Sequence, residues 1–197
     1  MYFKLLKLSK IFVKIFFNVN VTGKENIPKS GGFILCANHK SLFDAIILAP
    51  LFDRQIYFIG KSELFNNHGK LFSKLLYSLG AFPVKRETSD IKSLKHSIDL
   101  LRQGKILGIF PQGKCVKGND TSFTAKAGVA LIANKANADI LPVSIYSSGN
   151  IHLFKKITIR IGSPISYKKS NGNKREELKN NVFIIEKEIR KLLEARH

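Results

Sequence analysis

A chain of 197 residues, 44% hydrophobic and 24% charged, holds enough apolar material for one domain with a sizeable core, which excludes an intrinsically disordered chain. Its formal net charge of +19, spread along the sequence mainly as lysine, suits anionic partners: nucleic acid, an anionic membrane surface or an acidic carrier protein. Cys36 and Cys115 stand in different segments with no CxxC or histidine-rich neighbourhood, so neither a disulfide framework nor a zinc site is supported and a reducing cytoplasmic setting fits; no apolar run approaches the roughly 20 residues of a membrane span.

In chain order, residues 1–17 come first. Lys4, Lys7, Lys10 and Lys14 recur every three to four positions and line one side of a helix. Phe3, Leu5, Leu6, Leu8, Ile11, Phe12, Val13, Ile15, Phe16 and Phe17 cover the rest, an arc wider than a terminal helix normally buries. That composition predicts an amphipathic helix in a membrane interface, with docking on the domain's own core as the alternative. The lysines also argue against a signal peptide, whose apolar region is uncharged.

Residues 18–23 alternate like a short strand, and 27–32 form a turn. The run Gly32 to Cys36 reads as a strand and Leu42 to Leu51 as a helix with Ser41 as its cap. Strand Ile56 to Gly60 follows, then a helix over about 69–79 whose Leu71, Phe72, Leu75, Leu76 and Leu79 suit core packing or a lipid groove. A short β-like run from Gly80 ends in Lys85 and Arg86. A helix from about Thr88 to Arg102, capped by Thr88 or Ser89, precedes the continuous apolar strand 105–110, whose pattern predicts a central place in a sheet. Pro111 to Cys115 turn at its carboxyl end, where ligands collect in open α/β sheets. Residues 117–123 read as a polar loop and Thr124 to Lys135 as a small-residue helix. Two more strands, 140–146 and 157–162, a polar linker over 168–174 and a closing helix from about Arg175 to Glu194 complete the chain. Val182, Ile185, Ile189 and Leu192 mark the apolar face of that last helix. The alternation predicts a single α/β domain over 18–197 with a mixed, largely parallel central sheet, preceded by the 1–17 helix.

Chemistry concentrates in Cys36 to Asp44, which sets His39 and Asp44 five positions apart at a strand-to-helix junction. If the two hydrogen-bond, Asp44 fixes the imidazole tautomer and the other ring nitrogen is free to take a proton from a substrate hydroxyl. A polar capping turn is the plain alternative.

Four patterns occur in order: Asn38-His39 with Asp44; Gly80 to Arg86; Phe110-Pro111-Gln112-Gly113-Lys114-Cys115; and Pro142-Val143 within an apolar strand. Lys126-x-Gly128 follows the third. From Val21 to Ile161 the chain resembles the glycerolipid acyltransferases of the lysophosphatidic acid acyltransferase family, whose motifs are Asn-His-x4-Asp, a glycine run ending in arginine, Phe-Pro-Glu-Gly-Thr-Arg, and Pro-Val. The resemblance implies that fold, and His39 as the general base that deprotonates the hydroxyl of 1-acylglycerol-3-phosphate with Asp44 orienting it. The oxygen then attacks a thioester of acyl carrier protein or coenzyme A, with no covalent acyl-enzyme, and phosphatidic acid forms. It implies substrate contacts from Asn38, Lys61, Arg86, Gln112, Gly113 and Lys114, with Arg86 on the acceptor phosphate and Lys61 or strand-end amides at the oxyanion. No metal and no cofactor besides the donor thioester are implied. The expected partners are the lysophospholipid, the thioester and an anionic membrane at the cytoplasmic face, where the protein is peripheral or monotopic. Gln112, Lys114 and Cys115 depart from the Glu, Thr and Arg of the third motif, which bears on the acceptor more than on the chemistry. Another lysolipid acceptor, a basic nucleic-acid-binding module and a hydrolase pairing Cys115 with His39 are the competing readings.

Overall fold

The computed structural model describes residues 2–67, 69–85, 90–118, 120, 122–166 and 173–195. Helix α1 (Tyr2–Phe16) leads into β1 (Asn18–Thr22), and β2 (Phe33–Ala37) follows a turn. Then come α2 (Asp44–Leu48), β3 (Ile56–Lys61), α3 (Ser62–Asn66), α4 (Gly69–Ser78), β4 (Phe82–Val84), α5 (Ile91–Arg102) and β5 (Ile106–Ile109). Helix α6 (Gly128–Ala136), β6 (Asp139–Tyr146), β7 (Lys156–Ile161) and α7 (Lys174–Glu194) complete the order. The strands form one seven-stranded sheet in the order β1-β7-β6-β2-β5-β3-β4. Every neighbouring pair is parallel except β6 with β7, so the sheet is largely parallel as its sequence pattern predicts.

The central strand β2 explains the layering. Its side chains alternate, with Phe33, Leu35 and Ala37 entering a core shared with Val13, Phe17, Ile47 and Leu48, and Ile34 and Cys36 entering another shared with Leu100, Val129, Ile185 and Ile189. Both faces of the sheet are therefore covered, by α1 and α2 on one side and by α5, α6 and α7 on the other.

Several local expectations are corrected. The helix predicted over 42–51 is α-helical only from Asp44 to Leu48 and continues as a 3₁₀ turn, Ala49–Leu51. Ser41 does not cap it, because the Asp44 carboxylate takes the nearby amides; the Ser41 hydroxyl accepts from Phe43 N–H. Helix α5 is capped by Asp90, whose side chain accepts from Ser93 N–H. Thr88 and Ser89, expected as its caps, lie outside the described residues, as does most of the 168–174 linker. Helix α6 starts at Gly128 and not at Thr124, since the amides of Ala125 and Lys126 donate to Glu186 and to the Pro111 carbonyl. Helix α7 buries Ile185, Ile189 and Leu193, with Val182 and Leu192 at the margin. Helix α4 buries none of its residues, and Leu71 is 83% exposed, so core packing is not its role.

Helix α1 divides its apolar arc. Tyr2, Leu6 and Val13, continued by Phe17, pack on the domain, while Phe3, Leu8, Ile11 and Ile15 stay exposed among the four lysines. No helix among the described residues is long and apolar enough to cross a membrane.

Gly108 in β5 pairs with Leu35 and Phe58 and leaves room for the Phe58 ring; a Cβ there would stand 2.3 Å from Phe58 Cδ1. Gly108→Ala is expected to destabilise the fold by about 1–3 kcal/mol through overpacking, read as a lowered urea midpoint at unchanged slope.

Candidate active site

Strands β2, β3, β4, β5 and β6 run in one direction, so their carboxyl ends share one edge of the sheet. Asn38 and His39 leave β2 there, Phe110 to Gln112 leave β5, Lys61 ends β3 and Lys85 follows β4. Arg86 lies outside the described residues.

At this edge Asp44 organises the turn. Its Oδ2 accepts from Lys40 N–H at 2.7 Å and Ser41 N–H at 2.9 Å, and stands 2.8 Å from His39 Nδ1. The side chain is 0% exposed and its Oδ1 has no hydrogen bond among the described residues. An ionised carboxylate accepts only, so Nδ1 carries the proton toward it and Nε2 becomes the acceptor nitrogen.

The remaining parts of His39 are also held. Its ring, 16% exposed, stacks on Phe110 at 4.2 Å and 13°, and Phe110 stacks on Phe58 at 5.7 Å and 7°. Its N–H donates to Gln112 Oε1 at 2.9 Å, and its carbonyl accepts from Val116 N–H at 2.7 Å. Residues 114–118 thus pass beside the His39 backbone as a strap. The buried Lys40 donates its ammonium to the Gly118 carbonyl, and Gly118 N–H donates to Asn150 Oδ1 at 2.8 Å. Desolvation lowers the Lys40 pKa, opposed by the charges of Asp120 and Asp44.

The other residues expected at the substrate are placed as follows. The Asn38 carboxamide is buried and pairs with Ile145 on both sides, Nδ2 to the carbonyl at 2.9 Å and Oδ1 from the amide at 2.6 Å, which extends the β2–β6 ladder one residue past Ala37. Gln112 bridges His39 N–H and, through Nε2 at 3.4 Å, the Ser122 carbonyl. Lys61 Nζ is 2.7 Å from Glu63, whose carboxyl is held down to about 2, first by that hydrogen bond. Gly113 takes a positive φ of 72°, and the Lys126 side chain lies over it, its Nζ 3.2 Å from where a Cβ would stand. Lys114 is exposed beside that turn, and Cys115 lies partly buried in the strap. The strap, the ring stack and the role of Lys40 were not foreseen. Of these, only the place of Phe110 at the end of an apolar strand gave a signal in the sequence. Among the described residues no group of three or more His, Cys, Asp or Glu is placed to hold a metal ion.

The sequence family described as Acyltransferase matches residues 18–146, a span that contains His39, Asp44 and the third motif. A 1-acyl-sn-glycerol-3-phosphate acyltransferase of Bacillus subtilis (strain 168) is 35% identical over 161 residues, 79% of this chain and 78% of that protein. One of Borreliella burgdorferi is 30% identical over 139 residues, 68% of this chain and 53% of that one. The crystal structure of the 1-acyl-sn-glycerophosphate (LPA) acyltransferase PlsC from Thermotoga maritima superimposes with a TM-score of 0.70 at 27% identity, over 99% of this chain and 81% of that one. A histidine clamped at a strand end within this sheet, together with these likenesses, makes the chain a member of the glycerolipid acyltransferase family, the O-acyltransferases that include the 1-acylglycerol-3-phosphate enzymes.

Proposed function

We propose that the protein transfers a fatty acyl group from the thioester of acyl carrier protein or coenzyme A to the free hydroxyl of 1-acylglycerol-3-phosphate, forming phosphatidic acid at the cytoplasmic face of the membrane. The observation that carries this reading is the immobilised His39, with Nδ1 committed to Asp44 and Nε2 left as the acceptor. Nε2 takes the acceptor's hydroxyl proton as the oxygen attacks the thioester carbonyl. The tetrahedral intermediate then expels the thiolate, which recovers the proton from the imidazolium. No bond between protein and acyl group forms. The ring stack and the strap supply what such a reaction needs most, a base fixed in direction.

Arg86 is assigned to the acceptor phosphate by family likeness. Lys126, lying over the Gly113 turn, and Lys114 supply cations where the family carries the arginine of its third motif. The Lys61 ammonium reaches the developing oxyanion only after release from Glu63. The exposed Phe3, Leu8, Ile11 and Ile15 of α1, interleaved with lysine, suit the interface of an anionic bilayer. Both candidate donors are polyanionic and suit the positive field.

His39→Ala is expected to lower acyl transfer by roughly 10²–10⁴-fold in a protein that still folds, with a lowered thermal transition because the buried Asp44 loses one of its three donors. Near wild-type turnover would sink the mechanism. Purified protein supplied with each thioester and a panel of lysolipids, with products identified by mass, tests donor and acceptor together; no acylated product from any pair would overturn the assignment. Serine at Leu8, Ile11 and Ile15 together is expected to release the chain from anionic vesicles in flotation without unfolding it, since all three are exposed.

A further inference from the structure

The loop between β6 and β7 has a feature that folding alone does not explain. Phe154 has a φ of 64°, a backbone conformation that glycine and asparagine adopt easily and an aromatic residue rarely does. The residue is nevertheless 72% exposed, and Leu153 beside it is exposed as well. Neither side chain contributes to the core, so the chain holds an unfavourable conformation at a place where it presents an aromatic group to solvent.

The loop is tied to two parts of the molecule. On one side Phe154 N–H donates to the carbonyl of Phe16, the last residue of α1, at 2.6 Å, and the two rings lie 5.9 Å apart. On the other side Asn150 accepts from Gly118 in the strap that passes beside the His39 backbone. Aromatic contacts run on from Phe16 through Phe12 and Phe17 to Phe43, the residue before Asp44. Between the loop and α1 lies a groove of about 570 Å³, lined by Lys10, Lys14, Ile15 and Phe154 among others. Lys155 and Lys156 follow the aromatic residue directly. Exposed Phe and Leu flanked by lysines, continuous with the exposed apolar rib of α1, complement an anionic headgroup layer above an acyl boundary. An acidic protein would satisfy the lysines but leave the apolar groups without a partner.

We infer that Leu153 and Phe154 form a second contact with an anionic lipid bilayer, set beside α1, which fixes the rotation of the domain about that helix and so the direction in which His39 faces the membrane. This rests on the reading of α1 as a membrane-interface helix. The two fail separately in one experiment, because the chain has no tryptophan. Phe154→Trp places a single indole in the loop of the 197-residue chain. With vesicles of phosphatidylglycerol and phosphatidylcholine, the protein should float, and its tryptophan emission should shift to shorter wavelength and become open to quenchers buried in the bilayer. Phe154→Asn, which suits the positive φ, should keep or raise the thermal transition while weakening vesicle partition about tenfold. Flotation without an emission shift, or unchanged partition of Phe154→Asn, overturns the loop contact and leaves α1 standing. Loss of flotation in the otherwise folded Phe154→Trp protein overturns both. Unchanged partition of Phe154→Asn with a raised KM for an acyl carrier thioester assigns the surface to a protein and overturns the inference.

Discussion

A buried carboxylate with one oxygen shared among three donors is the constraint on which this site depends. Out of water, the Asp44 charge must be met by hydrogen bonds, and the Lys40 and Ser41 amides and the His39 ring converge on Oδ2 to meet it. That convergence determines the path of residues 39–44, starts α2 at Asp44 and not at Leu42, and decides which imidazole nitrogen carries the proton. The same contact closes the turn and fixes the tautomer of the His39 ring. Asn38 anchors the turn from below by carrying the β2–β6 ladder one residue further than the strand itself.

The parallel sheet makes the rest of the site possible. Because β2, β3 and β5 all end at one edge, residues from distant parts of the chain meet there: His39, Lys61 and the Phe110 turn. Gly108 admits the ring of Phe58, Phe58 stacks on Phe110, and Phe110 stacks on His39. A missing side chain in the middle of β5 is thus linked by packing to the orientation of His39 at the end of β2. Membership of the acyltransferase family agrees with this arrangement, and the likeness to the Thermotoga maritima enzyme extends over 99% of the chain.

The departures in the third motif acquire a physical meaning in the fold. The neutral amide of Gln112 accepts from the His39 backbone and donates toward Ser122, whereas a glutamate carboxylate only accepts. A strap passes the turn where the motif changes, with Val116 on the His39 carbonyl and Gly118 on the Lys40 ammonium. Lys126 brings a cation over the turn from outside the motif. The local chemistry of the third turn therefore comes from residues spread over positions 112 to 126 and not from six consecutive ones.

The sequence by itself determined the strand-rich alternation, the continuous apolar strands that must lie inside a sheet, the lysine-striped first helix, and the His39 to Asp44 spacing, because each of these is a short-range pattern of period or spacing. It misplaced the start of α6 and the cap of α2, where amides that would begin a helix are taken by Glu186, Pro111 and Asp44 instead. It did not show that the Asn38 amide is committed to Ile145, that Lys61 is paired with Glu63, that Phe110 supports the imidazole, or that α1 buries only part of its apolar arc. Those depend on which strands become neighbours and which side chains then compete for the same donors and the same space. Only the tertiary structure decides that, because the partners of His39 range from five residues away, at Asp44, to more than seventy, at Gln112 and Val116.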